Sequence, residues 1–427
     1  MDANSFIEFL NKPFRERLAS HYAFYQAELE KGFMTGRMGD APVDRRMAYK
    51  DLFSDTFHEV LVFGSNSYLN LSTHPQVQDA VCAAVRQYGT GTGGSPAFSG
   101  YTRQHRDLEQ RLARLGGHED ALLLPSGYMA NLCWVNGLMT RQDILLYDKH
   151  SHASVINAIK MTGVQFFPYD PDNLPALERL IDELRARPGC PQLFATVEGV
   201  RSTDGSVIQL RTLLDLCKRN DIFVILDDAH GMGVLGERGW GTLEHLDLLG
   251  QVDMRMSTCS KALGAQGAWV SGSREAIFYL RSYAKPYVFT TALAQTTVAT
   301  IDAALDVLEA EPERRHALHA NRRYLTAQLR AAGFEVGDSE SGIVPVYLPD
   351  GVAGRFNRRL YERGLFVNVM EYPMVAPGAE RLRFSLMARH THDDIDRAVA
   401  IVVETAHEFG LLARQVGAPV RAEAAFA

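Results

Sequence analysis

A chain of 427 residues with 46% hydrophobic and 22% charged residues has an ordinary globular composition and is long enough for two or three domains. Its formal charge of −7 leaves no basic footprint for nucleic acid. No apolar run approaches the length of a membrane span, so no membrane-crossing segment is expected.

The chain opens with Asp2, Glu8 and Lys12 before any long apolar core, which argues against a signal peptide. Its five cysteines (Cys82, Cys133, Cys190, Cys217 and Cys259) are odd in number, scattered and without metal-ligand spacing. That pattern fits a reduced cytoplasm and gives no metal site. Residues 1–60 read as an N-terminal helical arm, with Phe6, Phe9 and Leu10 on one turn and Tyr22 to Leu29 on another, and with a loop from Gly32 to Asp44. Residues 61–295 read as a large domain, 296–415 as a smaller α+β domain ending in a helix around Ile395 to Glu404, and 416–427 as a frayed tail.

Within the large domain, helical spacing (Val77, Ala80, Val81, Ala84, Val85; Leu108, Leu112, Leu115) alternates with short apolar runs. The runs are Ala121–Leu124, Ile144–Tyr147, Gln165–Phe167, Leu193–Val197, Phe223–Leu226, Val252–Met256 and Ala268–Val270. The alternation predicts an α/β fold with a mostly parallel sheet flanked by helices. In such sheets ligands sit beyond the carboxyl ends of the strands. A long helix carrying Val298, Ile301, Leu305 and Leu308 then leaves the sheet.

Polar residues collect at those strand ends. Gly89 to Ser95 is rich in glycine but follows a helix pattern and opens none, so a flexible loop lining a pocket fits it better than a dinucleotide site. Ser126-Gly127-Tyr128 follows a strand and opens a helix, which reads either as a phosphate cradle or as a plain Ser cap. His152, in Asp148-Lys149-His150-Ser151-His152, can stack on a flat ring or move protons, or belong to a polar loop. Ser202 sits in a stretch that also reads as a turn closed by Asp204-Gly205. Asp227 can pair with a ring nitrogen, with His230 facing the same ligand; an acidic loop or a cation site is the competing reading. Lys261 lies among small and hydroxylated residues from Ser257 to Gly267, where desolvation would make its amine a nucleophile toward a carbonyl. Together the set suits an aromatic aldehyde bearing a phosphate and held as a Schiff base. Pyridoxal 5'-phosphate is the cofactor that needs a Lys, an Asp for its pyridine nitrogen and a phosphate cradle.

With these residues in place the chain resembles the α-oxoamine synthases, fold-type I pyridoxal-phosphate enzymes that include 8-amino-7-oxononanoate synthase and serine palmitoyltransferase. The resemblance runs from about Asn66 to about Thr391. It rests on Asn66-Ser67-Tyr68-Leu69, Ser99-Gly100-Tyr101 with His105, Ser126-Gly127-Tyr128 with Ala130-Asn131, and His152-Ala153-Ser154. It continues through Glu198-Gly199-Val200 with Ser202 and Asp204-Gly205, Asp227-Asp228-Ala229-His230, Thr258 with Ser260-Lys261, Phe289-Thr290-Thr291, and Arg381-Leu382-Arg383 with His390-Thr391.

The resemblance implies that Lys261 holds the cofactor and moves the Cα proton, that Asp227 pairs with the pyridine nitrogen and that His152 stacks on the ring. It implies that Ser202 and His230 contact the phenolic oxygen, that Ser126, Gly127, Tyr128 and Thr258 lie near ring or phosphate, and that Asn66 and Arg383 take the amino-acid carboxylate. It further implies a homodimer with shared sites, in which Thr290 and Thr291 reach the partner subunit's cofactor phosphate. The implied reaction joins a small amino acid to an acyl thioester, on coenzyme A or an acyl-carrier protein, with loss of CO2. Pro96 after Gly94-Ser95 departs from the glycine-using members, and Pro373-Met374-Val375 departs from the oxononanoate synthases. Ser or Ala is therefore the expected acceptor. An aminotransferase or aldolase on the same fold, or a non-catalytic relative, are the alternatives; the latter lack the Schiff-base Lys, which is present here.

Overall fold

The computed structural model describes residues 12–30, 37–51, 54–372 and 374–412. The expected first helical turn at Phe6 to Leu10, part of the Gly32–Asp44 loop, Pro373 and the tail from Val416 lie outside them. The described strands are Arg37–Gly39 (β1), Arg46–Asp51 (β2), His58–Phe63 (β3), Asp120–Leu124 (β4), Ile144–Asp148 (β5), Gln165–Tyr169 (β6), Leu193–Glu198 (β7), Ile222–Asp227 (β8), Met254–Thr258 (β9), Ala268–Gly272 (β10), Ile343–Tyr347 (β11), Leu365–Met370 (β12) and Arg381–Ser385 (β13).

Seven strands form one sheet in the order β4-β10-β9-β8-β7-β5-β6. β6, β5, β7, β8 and β9 run parallel, and only β10 runs against its neighbours. Strands β4, β7, β9 and β10 are buried along their whole length, as expected where helices cover both faces. β6 pairs on one side only and carries Pro168, a residue that an edge strand accommodates because it has no N–H to give. Helices start where the sequence offers caps. Ser126 Oγ accepts the Met129 N–H at the head of Gly127–Leu138, and Ser273 Oγ accepts that of Ala276.

A second sheet has the order β1-β2-β3-β12-β13-β11. Here the structure differs from a purely helical N-terminal arm. Residues 14–30 are helical, but 37–51 are strands that join the C-terminal part of the chain. The reason is visible in β2, where Met47 and Tyr49 alternate with Arg46, Ala48 and Lys50. The first pair packs with Val60, Val62 and Met387 on one face. β3 then pairs in parallel with β12, Leu61 opposite Leu365.

One carboxylate ties the two ends of this sheet together. Asp394 accepts from Arg45 Nη1 at 2.5 Å and Arg46 Nη2 at 2.9 Å, and also from the Thr391 N–H and hydroxyl of its own capping box. Burial opposes the charge, but hydrogen bonds from Arg45, Thr391 and Arg46 outweigh it and hold the carboxyl well below the usual range. Its stabilisation is therefore complete above the ordinary Asp value of about 4 and is lost as pH falls below it. Asp394→Ala is expected to lower stability by about 2–3 kcal/mol at pH 7 in a urea titration. That deficit shrinks toward pH 3, whereas a deficit that does not change with pH would remove the charge from the explanation.

Candidate active site

The carboxyl ends of the parallel strands converge on a cavity of about 230 Å³. Each wall comes from the first residues past a strand: Ser126, Gly127 and Tyr128 after β4, His152 after β5, Glu198 and Ser202 at β7, Asp227, Ala229 and His230 at β8, and Thr258, Ser260 and Lys261 at β9. The structure thus brings together nine of the thirteen residues singled out from the sequence. Asn66 and Arg383 sit just beside the cavity, linked to Ser202. Thr290 is half-buried and Thr291 exposed, and neither lines the cavity.

Lys261 projects its amine into this space and makes no hydrogen bond or ion pair among the described residues. Burial pushes the amine down to about 8 against the opposing pull of Asp227 and Glu198. Near neutral pH a fraction of it is therefore an unprotonated nucleophile. Thr258 Oγ1, at the end of β9, is tied to Ser260 Oγ at 2.9 Å and to the Gly267 carbonyl at 3.2 Å, which fixes the turn that carries Lys261.

Asp227 is buried but well supplied with donors. Asn131 Nδ2 gives to its Oδ2 at 3.0 Å and the Ala229 N–H to its Oδ1 at 3.1 Å, which fixes the orientation of the carboxyl. The same Asn131 amide donates to Ser154 Oγ at 2.9 Å, while its carbonyl accepts from Trp134 Nε1 at 2.8 Å. Ser154 Oγ in turn lies 2.7 Å from His152 Nδ1 and donates to it, which puts the remaining ring proton on Nε2. One buried amide therefore orients both the carboxylate at the back of the cavity and the imidazole at its mouth, where His152 is exposed.

His230 is buried, and burial together with the nearby charges of Lys261 and Arg383 holds it well below its usual value, so it is neutral. Tyr68 OH lies 2.8 Å from its Nδ1, within hydrogen-bond distance. Arg383, buried on β13, gives Nε to the Ser202 carbonyl at 2.5 Å and Nη1 to Asn66 Oδ1 at 3.2 Å and Ser385 Oγ at 2.8 Å. The buried guanidinium also neighbours the Tyr68 hydroxyl, and its positive charge suits an incoming anion.

Three residues escaped the reading of the sequence as site residues: Tyr68, Asn131 and Glu198. All three lie in stretches that carry the family resemblance, but their tasks depend on cross-strand contacts that no spacing reveals. The Gly89–Ser95 loop also differs from its expectation. It packs on the segment after Thr291, with Ala292 N–H to the Gly94 carbonyl at 3.0 Å and Thr92 Oγ1 to the Ala292 carbonyl at 3.1 Å, and does not line the cavity.

The donor set fits pyridoxal phosphate. There is a desolvated amine, a carboxyl held by two donors at the back, an imidazole at the mouth, and a helix start at Gly127 for a phosphate. A Cβ on Gly127 would touch Thr258 Cβ and Oγ1 at 3.5 Å, so glycine there leaves open the gap between helix and Lys261 turn.

Comparisons with known proteins agree with this chemistry. The family model for aminotransferase class I and II matches residues 58–402. The chain is 36% identical over 405 residues to the 4-hydroxy-2,2'-bipyrrole-5-methanol synthase PigH of Serratia sp., covering 94% of this chain but only 60% of that protein's length. It is 36% identical over 355 residues to 8-amino-7-oxononanoate synthase 1 of Bacillus subtilis, covering 83% of this chain and 90% of the relative. A solved serine palmitoyltransferase from S. paucimobilis with a bound pyridoxal-phosphate–myriocin aldimine superposes with a TM-score of 0.85 at 26% identity, over 94% of this chain and all of that one.

Proposed function

Because the chain belongs to the class I and II aminotransferase family, in its α-oxoamine synthase branch of fold-type I pyridoxal-phosphate enzymes, we propose that it is a decarboxylating acyltransferase. It condenses Ser or Ala with an acyl thioester, carried on coenzyme A or an acyl-carrier protein, to give an α-amino ketone and CO2. The observation that carries the reading is the pairing of a partnerless, desolvated Lys261 with a doubly supported Asp227 across one cavity.

Pyridoxal phosphate, when bound, supplies the electron sink that makes a Cα proton acidic. The chain's residues do the rest. Lys261 Nζ holds the cofactor and, neutral near pH 8, takes and returns the Cα proton. The Asp227 carboxylate holds a proton at the pyridine nitrogen, and Asn131 keeps that carboxylate aimed. His152, fixed by Ser154, covers one ring face. Ser202 and His230 would contact the phenolic oxygen. Gly127, Tyr128 and Thr258 receive the phosphate, with Thr290 and Thr291 reaching the partner copy of a homodimer. Arg383 and Asn66 bind the amino-acid carboxylate, which orients the Cα–H toward Lys261.

The reading is tested by titrating the cofactor-loaded protein with Ser, Ala and Gly, following its absorbance, then adding acyl thioesters of increasing length and measuring CO2. Release of CO2 only when both substrates are present supports it, and transamination without a thioester would favour the aminotransferase alternative. Arg383→Ala separates the two substrates. It is expected to raise the amino-acid dissociation constant roughly 100-fold, the loss of a charge-assisted contact, with the thioester KM changed less than about threefold. Equal losses for both substrates would take Arg383 out of the carboxylate site.

A further inference from the structure

Glu198 is a buried acid beside the reaction centre to which the proposed chemistry gives no task. It closes β7, and in the register of the parallel sheet it sits directly opposite Asp227 on β8. It is 5% exposed and lines the same cavity as Lys261. Its Oε2 accepts the Ser202 N–H at 3.1 Å. The Ser202 carbonyl then accepts from Arg383 Nε at 2.5 Å. A single residue's peptide groups thus join the acid next to Asp227 to the guanidinium on the second sheet.

Two carboxylates on adjacent strands in a dry cavity are costly to ionise together. Asp227 accepts from two N–H donors, Asn131 and Ala229. Glu198 has one, from Ser202, and it also feels Asp148 at the end of β5 on its other side, with Lys261 working against both carboxylates. Burial and then Asp227 push Glu198 up to about 8. Glu198 is thereby favoured in its neutral form near neutral pH.

We propose that Glu198 is a positioning residue that fixes the Ser202 turn, and through it Arg383, in the pose that receives an amino-acid carboxylate. A neutral acid serves this end better than a carboxylate. It still accepts the Ser202 N–H, yet adds no second negative charge beside Asp227 and does not repel the substrate's own carboxylate. The proposal rests on the acyltransferase reading above.

The test uses the cofactor-loaded full chain as wild type, Glu198→Gln and Glu198→Ala. Gln keeps the shape and an acceptor for Ser202 without charge, whereas Ala removes the acceptor. The amino-acid dissociation constant, read from the absorbance of the bound cofactor, is expected to rise about tenfold in Glu198→Ala and to stay within about threefold in Glu198→Gln. The thioester KM is expected within about twofold of wild type in both. A Glu198→Gln variant as weak as Glu198→Ala, or a Glu198→Ala variant that binds like wild type, overturns the proposal.

Thermal midpoints decide the protonation state separately, and need neither substrate. A proton kept by the folded chain and lost by the unfolded one makes the native state less stable as pH rises from the ordinary Glu range, about 4.3, toward 8. The advantage of Glu198→Gln over wild type therefore widens from pH 5 to pH 8, and a difference that does not change over that range overturns the proposal by itself. Failure of the acyltransferase reading looks different: the wild type itself would release no CO2 with any thioester, whatever the two variants do in amino-acid binding or melting.

Discussion

Lys261→Ala abolishes borohydride fixation of pyridoxal phosphate to the protein and lowers turnover by roughly 10⁴-fold, while leaving the thermal midpoint of the cofactor-free chain unchanged or slightly raised. The first part follows from the position of the amine, which ends the β9 turn and faces the cavity. The last part follows from its isolation. Lys261 makes no hydrogen bond or ion pair among the described residues, so its removal breaks nothing and relieves the burial of an ammonium. With its value near 8, about a tenth of the amine is neutral at pH 7, against fewer than about one in a thousand for an ordinary Lys. The rate at which the cofactor-free protein takes up pyridoxal phosphate is therefore expected to climb with pH and to level off above about pH 8. Borohydride labelling that persists at another Lys would dismiss the assignment, as would an uptake rate still climbing steeply at pH 10.

Arg255→Met is expected to cost about 3–5 kcal/mol of stability, the largest loss predicted for a residue outside the cavity. Arg255 on β9 and Asp228 after β8 form an ion pair of 2.7 Å in which neither side chain meets water. Asp228 also takes the Thr242 hydroxyl at 2.6 Å and the Thr242 N–H at 3.1 Å. Removing the guanidinium leaves a buried carboxylate with neutral donors only. For a chain of this size the midpoint falls by roughly 5 °C. The double variant Arg255→Met with Asp228→Asn recovers much of the loss, since no charge is then stranded. Because Asp228 adjoins Asp227, the single variant is also expected to hold the cofactor less tightly, measurable as faster release on dialysis. A single variant as stable as wild type would show that the pair contributes nothing.

How much of this was legible follows from where each residue's environment comes from. Ser126, His152, Asp227 and Lys261 could be placed because a parallel sheet puts the residue after each strand at one edge, and short apolar runs mark those strands. His230 and Ser202 were read at the same strand ends, and the resemblance added their contact with the phenolic oxygen. Asn131 could not be recognised, because it lies inside a helix and its tasks are set by Asp227 and Ser154 on two other strands. Glu198 follows the apolar run Leu193–Val197, and its importance lies in the register that sets it opposite Asp227. The strands of residues 37–51 were hidden for a different reason. They are short and half polar, and their neighbours lie far along the chain.

That last feature has a bearing on how the protein is made. β3 presents Val60 to Phe63 to β12, and the Asn368 amide that closes against the Gly64 carbonyl lies 304 residues later. At ~5–20 residues per second a ribosome needs roughly 15 to 60 seconds to supply that partner. In the interval the seven-stranded sheet, all of it encoded between Asp120 and Gly272, has its full set of strands and can assemble. The early strand waits beside it with an unpaired apolar edge. Chains that stop short of β12 would be left with that edge bare, and are the ones expected to accumulate in the insoluble fraction.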